Sequence, residues 1–321
     1  MYLLRARTRS MLCILYVNAV GFLLGTIGVL FERLLPATMV RRWSWCAILL
    51  ASIALPGYYR YHHVFAVAGT SDAATLVLDA GTVSQISAID IAIGRAWVIV
   101  TVLLGVWALV NAGWVSHMVR VSRARLRGPA PSAIGGVPVV ITESLGPATV
   151  GVLRSRVVLP RWVLALPDSQ RQYIVRHEDE HRRSHDSTLL FLASLAVILL
   201  PWNAAFWWQL RRLSLAVEVD CDRRVVSTLG DPHAYGGLLL AVAQASNRGP
   251  RLQPALLGGT GMLEHRLTVL LEPAPPRLVQ RLLFSVVVSV LLFLVLTIPH
   301  PVIANHAHAP APTTSSSAMQ R

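Results

Sequence analysis

The chain has 321 residues, of which 54% are hydrophobic and only 14% are charged. A soluble domain usually carries about 25% charged residues, so this composition excludes an ordinary soluble protein and predicts membrane spans. The net charge is +13, and all 29 basic residues are arginines. A nucleic-acid binder would cluster them in a soluble patch. With so much apolar sequence, we instead attribute them to cytoplasmic loops beside anionic lipid and expect no direct nucleic-acid binding.

Four apolar stretches have the length that a helix needs to cross a bilayer. The predicted spans cover residues 11–31, 43–59, 96–115 and 282–303. Arginines precede the first stretch, as in a signal peptide, but it is longer than the apolar region of a signal and no small-residue cleavage site follows it. We therefore expect a retained span, a transmembrane region over residues 1–115, and a short flexible tail over residues 304–321.

The arginines also predict the orientation of the chain. RVSRARLRG follows the third span directly, and Arg277 and Arg281 precede the last one. Because basic loops stay in the cytoplasm, residues 116–281 are expected to form a cytoplasmic domain, with the tail outside. Counting the spans back places the N-terminus outside as well. This conflicts with the arginines at its start and leaves its orientation open.

The cytoplasmic domain contains a further apolar stretch at 188–208, with Pro201 and Asn203 near one end. The stretch could be a full span, a re-entrant helix or a helix lying in the interface. If it crossed the bilayer, another segment would have to cross back, so we expect a membrane-associated helix and leave its crossing open. Elsewhere in the domain, VPVVIT and RVVLP predict β-strands. Helices are predicted from Asp168 or Ser169 to about His185 and from Leu210 to about Leu229. The expected class is a mainly α membrane protein with about four spans and an α+β domain.

RHEDEHRRSHD, in the first of these helices, contains the pattern H-E-x-x-H as His177, Glu178 and His181. Histidines four residues apart share one face of a helix, at a spacing that suits two imidazoles on one Zn2+ ion. Glu178, beside the first histidine, is the expected general base. Short motifs also arise by chance, so a charged amphipathic surface helix is the alternative interpretation.

A catalytic zinc site needs a third protein ligand, which a glutamate on a later helix often supplies. Glu218 follows the apolar run LSLAV, where a bare carboxylate would be costly to bury without a partner such as a metal. It could instead be a surface residue that pairs with Arg211 or Arg212. Cys221 is a possible soft ligand, although one further ligand is sufficient.

Two aspartates are candidates to support the ligands, because a metal-bound imidazole usually donates its free N–H to a carboxylate. These are Asp186, shortly after the second histidine, and Asp222, four residues after Glu218. Either could instead be an ordinary helix cap or ion-pair acid. Asp179 and Glu180 point away from the histidine face and are expected to be solvent-exposed, and His185 is expected at the surface.

RHEDEHRRSHDSTLL followed by PWNAAFWWQLRRLSLAVEVDCDRRVV resembles the BlaR/MecR-type family of integral membrane zinc metallopeptidases. The family's H-E-x-x-H motif and its following aspartate match His177, Glu178, His181 and Asp186. Its later E-x-x-C-D motif matches Glu218, Cys221 and Asp222. Trp202 and Asn203 match a W-x-N-P-like turn in which Ala204 replaces the usual proline. The resemblance covers roughly residues 95–300.

The resemblance implies a gluzincin-like zinc peptidase domain that faces the cytoplasm of a bacterial inner membrane. The expected function is a regulatory endopeptidase or antirepressor that cleaves a cytoplasmic protein, such as a BlaI-type repressor, or the chain itself. In the sensor members, a penicillin-binding domain follows the last span; here only residues 304–321 follow, so direct β-lactam sensing is not expected. The alternatives are a non-catalytic membrane signal transducer with a structural metal, and a metal-free basic scaffold. The oligomeric state is left open.

Overall fold

A computed structural model describes residues 9–34, 41–65, 80–125, 133–143, 145–246, 260–271 and 278–297. This part of the chain is mainly helical. Its helices are α1 (Arg9–Leu34), α2 (Arg41–Phe65), α3 (Ala80–Arg125), α4 (Asp168–Arg183), α5 (Asp186–Leu199), α6 (Ala204–Leu229), α7 (Pro232–Ser246), α8 (Thr260–Leu271) and α9 (Leu278–Thr297). Its strands are β1 (Ala133–Ile134), β2 (Val137–Thr142), β3 (Ala148–Val150) and β4 (Arg156–Pro160).

Three of the described helices are long and apolar enough to cross a membrane, judged by length and composition. The segments are Ile14–Arg33 in α1, Ile91–Val121 in α3 and Leu278–Val295 in α9. They overlap the first, third and last predicted spans and support the expectation of a membrane protein. The second predicted span, 43–59, lies in α2, which is not one of the three, so its crossing stays a prediction. The predicted tail lies outside the described residues.

The four strands form one sheet in the order β1-β2-β4-β3. The two strands predicted from their valines are confirmed as β2 and β4, which run parallel with Val139 opposite Val157. β3 pairs antiparallel with β4 and lies at the edge of the sheet. Val157 and Leu159 of β4 share a buried cluster with Ile174 and Val175 of α4. This packing fixes α4, the predicted motif helix, against the sheet.

The apolar stretch at 188–208, predicted as one membrane-associated helix, is divided between two helices. α5 ends at Leu199, before Pro201, which has no backbone N–H to continue a helix. The side chain of Asn203 then accepts a hydrogen bond from the backbone N–H of Phe206 and caps the start of α6. The expectation of one helix was therefore wrong, because this proline and asparagine end one helix and begin the next.

Helix α6 packs closely against the two N-terminal helices. Gln209 donates hydrogen bonds to the Gly21 carbonyl of α1 at 2.7 Å and to the Ser52 hydroxyl of α2 at 3.0 Å. Trp45 of α2 and Phe206 of α6 are fully buried in the same apolar cluster. The helix that carries the predicted third ligand is thus held by helices of the apolar region.

The close approach of α1 and α6 depends on Gly21, where an added Cβ would lie 2.8 Å from Cβ of Ala205. We predict that Gly21→Ala destabilises the protein by about 1–3 kcal/mol, because the helices must move apart. The control is Gly105→Ala, whose Cβ would meet no atom within 4 Å. Thermal unfolding in detergent measures both variants, and equal midpoints would contradict this packing.

Candidate metal centre

The structure brings the three predicted metal ligands together from two helices. His177 and His181 on α4 approach each other with their Nε2 atoms 3.1 Å apart. Glu218 on α6 faces both rings. Its Oε2 lies 3.6 Å from His177 Nε2, and its Oε1 lies 3.7 Å from His181 Nε2. The exposed fractions of the three side chains are 13% for His177, 12% for His181 and 14% for Glu218.

These separations fit a single metal ion. Nitrogen and oxygen ligands about 2.0–2.1 Å from a tetrahedral zinc ion are roughly 3.3 Å from one another. The Nδ1 atom of each histidine already has an oxygen partner, Tyr235 for His177 and Asp186 for His181. If both Nδ1 atoms carry the protons, two bare Nε2 lone pairs face each other beside a carboxylate. A cation between these donors would remove that repulsion.

Cys221 supplies a further donor to the same region. Its Sγ and one nitrogen from each of His177 and His181 all lie within 4.8 Å of one another, so this trio could also hold a metal ion. The thiol is fully buried and lies 3.4 Å from Nδ1 of His177. The site therefore offers two candidates for the third ligand, Glu218 and Cys221, one turn apart on α6.

The predicted partner of His181 lies beside it. Asp186 Oδ2 is 2.9 Å from His181 Nδ1, and the other carboxylate oxygen accepts a hydrogen bond from Arg42 of α2 at 2.6 Å. His185 between α4 and α5 has a φ of 55°, in the left-handed region. The sharp turn at this residue directs Asp186 back toward the preceding helix.

Asp222 lies near His177, but a tyrosine hydroxyl lies closer. Asp222 Oδ1 is 3.5 Å from His177 Nδ1, whereas Tyr235 Oη is 2.8 Å from the same nitrogen. Arg266 of α8 donates to both carboxylate oxygens of Asp222 at 2.7 Å. Its Nη1 also lies 2.9 Å from Glu218. Sequence reasoning missed Tyr235, Arg266 and Arg42, because no local motif connects them with α4.

Glu178, the expected general base, is 7% exposed and lies against the edge strand β3. The hydroxyl of Thr149 in this strand is 2.6 Å from the backbone oxygen of Glu178 and 3.2 Å from its carboxylate Oε2. A hydroxyl has one proton to donate. The shorter contact indicates that this proton goes to the backbone oxygen of Glu178 and not to its carboxylate.

The expectation that Asp179 and Glu180 are solvent-exposed was wrong. Their exposed fractions are 0% and 6%. Arginines neutralise both carboxylates: Arg182 and Arg183 pair with Asp179, and Arg176 and Arg224 pair with Glu180. The prediction assumed that the side of α4 opposite the histidines faces water, but arginines from α4 and α6 cover it. His185 is exposed, as expected.

Charges around the site shift the pKa values of its groups. Burial alone would lower the pKa of His177, but Cys221 and Glu218 beside it raise that pKa to about 10. The pKa of His181 is likewise raised, against burial, by Cys221, Glu218 and Asp186. Burial would raise the pKa of Glu218, yet Arg266 and the two histidines hold it below its usual value. In the metal-free protein, the carboxylate therefore favours protonated histidines.

Apolar helices of membrane-spanning length, together with paired histidines and an acidic side chain, are features of a membrane metallopeptidase. The family model for the BlaR1 peptidase M56 matches residues 25–270, and the chain belongs to this family. The match confirms the resemblance drawn from the motifs, and it extends further toward the N-terminus than the motifs did. A search of the curated proteins finds no match to the chain.

Because metal must displace protons from the histidines, we predict that zinc binds the metal-free protein more tightly as pH rises from 6 to 8. The raised histidine pKa values set the sign: in this window the metal-free rings keep protons that the metal-bound rings lose. Competition with a chelator measures the affinity. His185→Ala, which removes an exposed histidine, should leave the dependence unchanged, and an affinity independent of pH would contradict the prediction.

Proposed function

We propose that the protein is a zinc-dependent endopeptidase in which His177, His181 and Glu218 hold the metal and Glu178 is the general base. The observation that carries the proposal is the arrangement of the two Nε2 atoms, 3.1 Å apart, with an oxygen of one carboxylate facing each of them. It corresponds to the gluzincin arrangement, in which H-E-x-x-H supplies two ligands and a later glutamate supplies the third.

The choice of Glu218 over Cys221 follows from the directions of the histidine lone pairs. The two nitrogens of an imidazole point away from each other, so one ring cannot bind the same ion through both. The Cys221 thiol contacts His177 at Nδ1, whereas Glu218 faces Nε2 of both rings. An ion between the two Nε2 atoms is therefore on the side of the carboxylate.

Bound zinc would supply a Lewis acid that polarises the scissile carbonyl and lowers the pKa of water. Glu178, directly after the first ligand, takes the proton from the attacking water at its carboxylate and delivers it to the leaving amine. Thr149 holds Glu178 against the edge of the sheet through the hydrogen bond from its hydroxyl to the backbone oxygen of Glu178. His177, His181 and Glu218 keep their places through their own partners, Tyr235 on α7, Asp186 on α5 and Arg266 on α8.

The proposed location of the site is the cytoplasmic boundary of the inner membrane. Arg42 flanks the second predicted span and pairs with Asp186, so this arginine and the site lie on the same side. Basic residues that flank spans mark the cytoplasmic side. The backbone N–H groups of Arg41 and Arg42 also donate to the carboxylate of Asp220 on α6.

We further propose that α5 and α6 enter the bilayer as a re-entrant hairpin and leave it on the same side. At its tip, the Leu199 carbonyl accepts a hydrogen bond from Trp97 of α3, and the Ala204 N–H donates to Asn18 of α1. Both partners lie within helix segments of membrane-spanning length. The opposite end of the hairpin carries Asp186 and Glu218, so residues 188–208 need not cross the membrane.

The proposed substrate is a cytoplasmic protein, such as a BlaI-type repressor, or the chain itself. A site at the cytoplasmic boundary supports such a substrate, and the regulatory or antirepressor role rests on the family resemblance. The alternative is a membrane signal transducer with a structural metal and no hydrolysis. The endopeptidase needs Glu178 for its cleavage of the substrate, whereas the zinc-loaded transducer would signal without Glu178.

We predict that Glu178→Gln retains zinc but lowers cleavage about 100- to 10,000-fold, because the amide cannot take up a proton. The measurement is co-expression with the candidate repressor, followed by blot of repressor and enzyme fragments and by zinc analysis. The matched control is Glu143→Gln, whose carboxylate is exposed and pairs with Arg161. Unchanged cleavage in Glu178→Gln would contradict the assigned mechanism, and a zinc-loaded wild-type protein that never cleaves would favour the transducer.

A second prediction separates the candidates for the third ligand. Glu218→Gln should weaken zinc binding by more than about 100-fold, because losing a ligand costs more than losing an outer partner. Cys221→Ser, one turn away on the same helix, should bind zinc within a few-fold of wild type. A chelator competition assay measures both variants, and the reverse ranking would assign the metal to the thiol.

A further inference from the structure

We propose that Tyr235 is a positioning residue that holds the proton of His177 on Nδ1 and so directs Nε2 of this ring toward the metal. The inference rests on the proposed metal site and adds to it a residue that carries no recognisable motif. Tyr235 is on α7, only 1% exposed, and its hydroxyl lies between His177 and Asp222.

The directions of the hydrogen bonds between His177, Tyr235 and Asp222 follow from Arg266, which contacts Asp222. Arg266 can only donate, and it occupies both carboxylate oxygens of Asp222. Asp222 can only accept, so the hydroxyl proton of Tyr235 goes to Asp222 Oδ1, 2.7 Å away. The oxygen of Tyr235 is then left to accept the Nδ1–H of His177 at 2.8 Å.

Two other acceptors lie near Nδ1 of His177, and both are weaker partners for it. The thiol of Cys221 is 3.4 Å away, and sulfur is a poor acceptor. Asp222 Oδ1 is 3.5 Å away, beyond the usual range for an N–H···O bond. The shortest contact, with Tyr235, therefore selects the tautomer whose lone pair lies at Nε2.

The contacts form a continuous chain from one proposed metal ligand, His177, to another, Glu218. His177 leads to Tyr235, then to Asp222 and Arg266, and Arg266 returns to Glu218 at 2.9 Å. Tyr173 packs against the Tyr235 ring, with centroids 5.4 Å apart, which limits its movement. His181 differs because it contacts the Asp186 carboxylate directly, at 2.9 Å. The two histidines are thus supported by different groups, a phenol hydroxyl and a carboxylate.

The test compares Tyr235→Phe with Tyr173→Phe in the full-length protein in detergent. Each change removes one hydroxyl and keeps the ring, but the Tyr173 hydroxyl donates to the Gly230 carbonyl. Loss of a partner to a ligand typically lowers metal affinity about 10- to 100-fold. We expect this loss of zinc affinity in Tyr235→Phe, together with a changed visible spectrum of the cobalt-substituted protein. In Tyr173→Phe, we expect a zinc affinity within about twofold of wild type.

Thermal unfolding of the metal-free variants shows whether Tyr235→Phe still folds. If it does not, Arg266→Lys tests the same chain of contacts, because a lysine cannot donate two hydrogen bonds to Asp222 in the way that an arginine does. This variant should also bind zinc more weakly, and wild-type zinc affinity in it would overturn the inference. In a folded Tyr235→Phe, wild-type zinc affinity would overturn it, as would an equal loss in Tyr173→Phe. A wild-type protein that binds no stoichiometric zinc would overturn the proposed function itself and this inference with it.

Discussion

The candidate metal site depends on the close approach of two imidazole nitrogens. Nε2 of His177 and Nε2 of His181 lie 3.1 Å apart, and each faces an oxygen of Glu218. With a proton on each Nδ1, the three groups would repel one another unless a cation lies between them or the rings take up further protons. In the metal-free protein, the raised pKa values of both histidines favour the uptake of further protons by the rings. Bound zinc would instead supply the cation between them, and the carboxylates and arginines around the site are compatible with either state.

Helix α6 links this site to the apolar helices. Its first half packs on α1 and α2 through Gln209, and its second half carries Glu218 and Asp222. Arg42 at the start of α2 connects to Asp186 and so to His181. A shift of α2 or α6 would therefore move a proposed metal ligand or its partner. The candidate metal site and the apolar helices are in direct contact, so the site is best studied in the intact chain.

The sequence predicted the parts of the site that depend on local spacing. The four-residue interval places His177 and His181 on one face of α4, and the interval from Glu218 to Asp222 does the same on α6. The strands β2 and β4 follow from their valines. Tyr235, Arg266 and Arg42 could not be found in this way, because they reach the site only through tertiary packing. The predicted exposure of Asp179 and Glu180 was wrong although three of their arginine partners lie on α4 itself; only Arg224, which pairs with Glu180, comes from α6 through tertiary packing.

In the proposed site, two histidines and the Glu218 carboxylate, without the thiol, hold one zinc ion. X-ray absorption at the zinc edge of the loaded wild-type protein identifies these ligands. We expect nitrogen and oxygen ligands at about 2.0–2.2 Å and no sulfur. A sulfur ligand at about 2.3 Å would show that Cys221 binds the ion and would contradict the assignment.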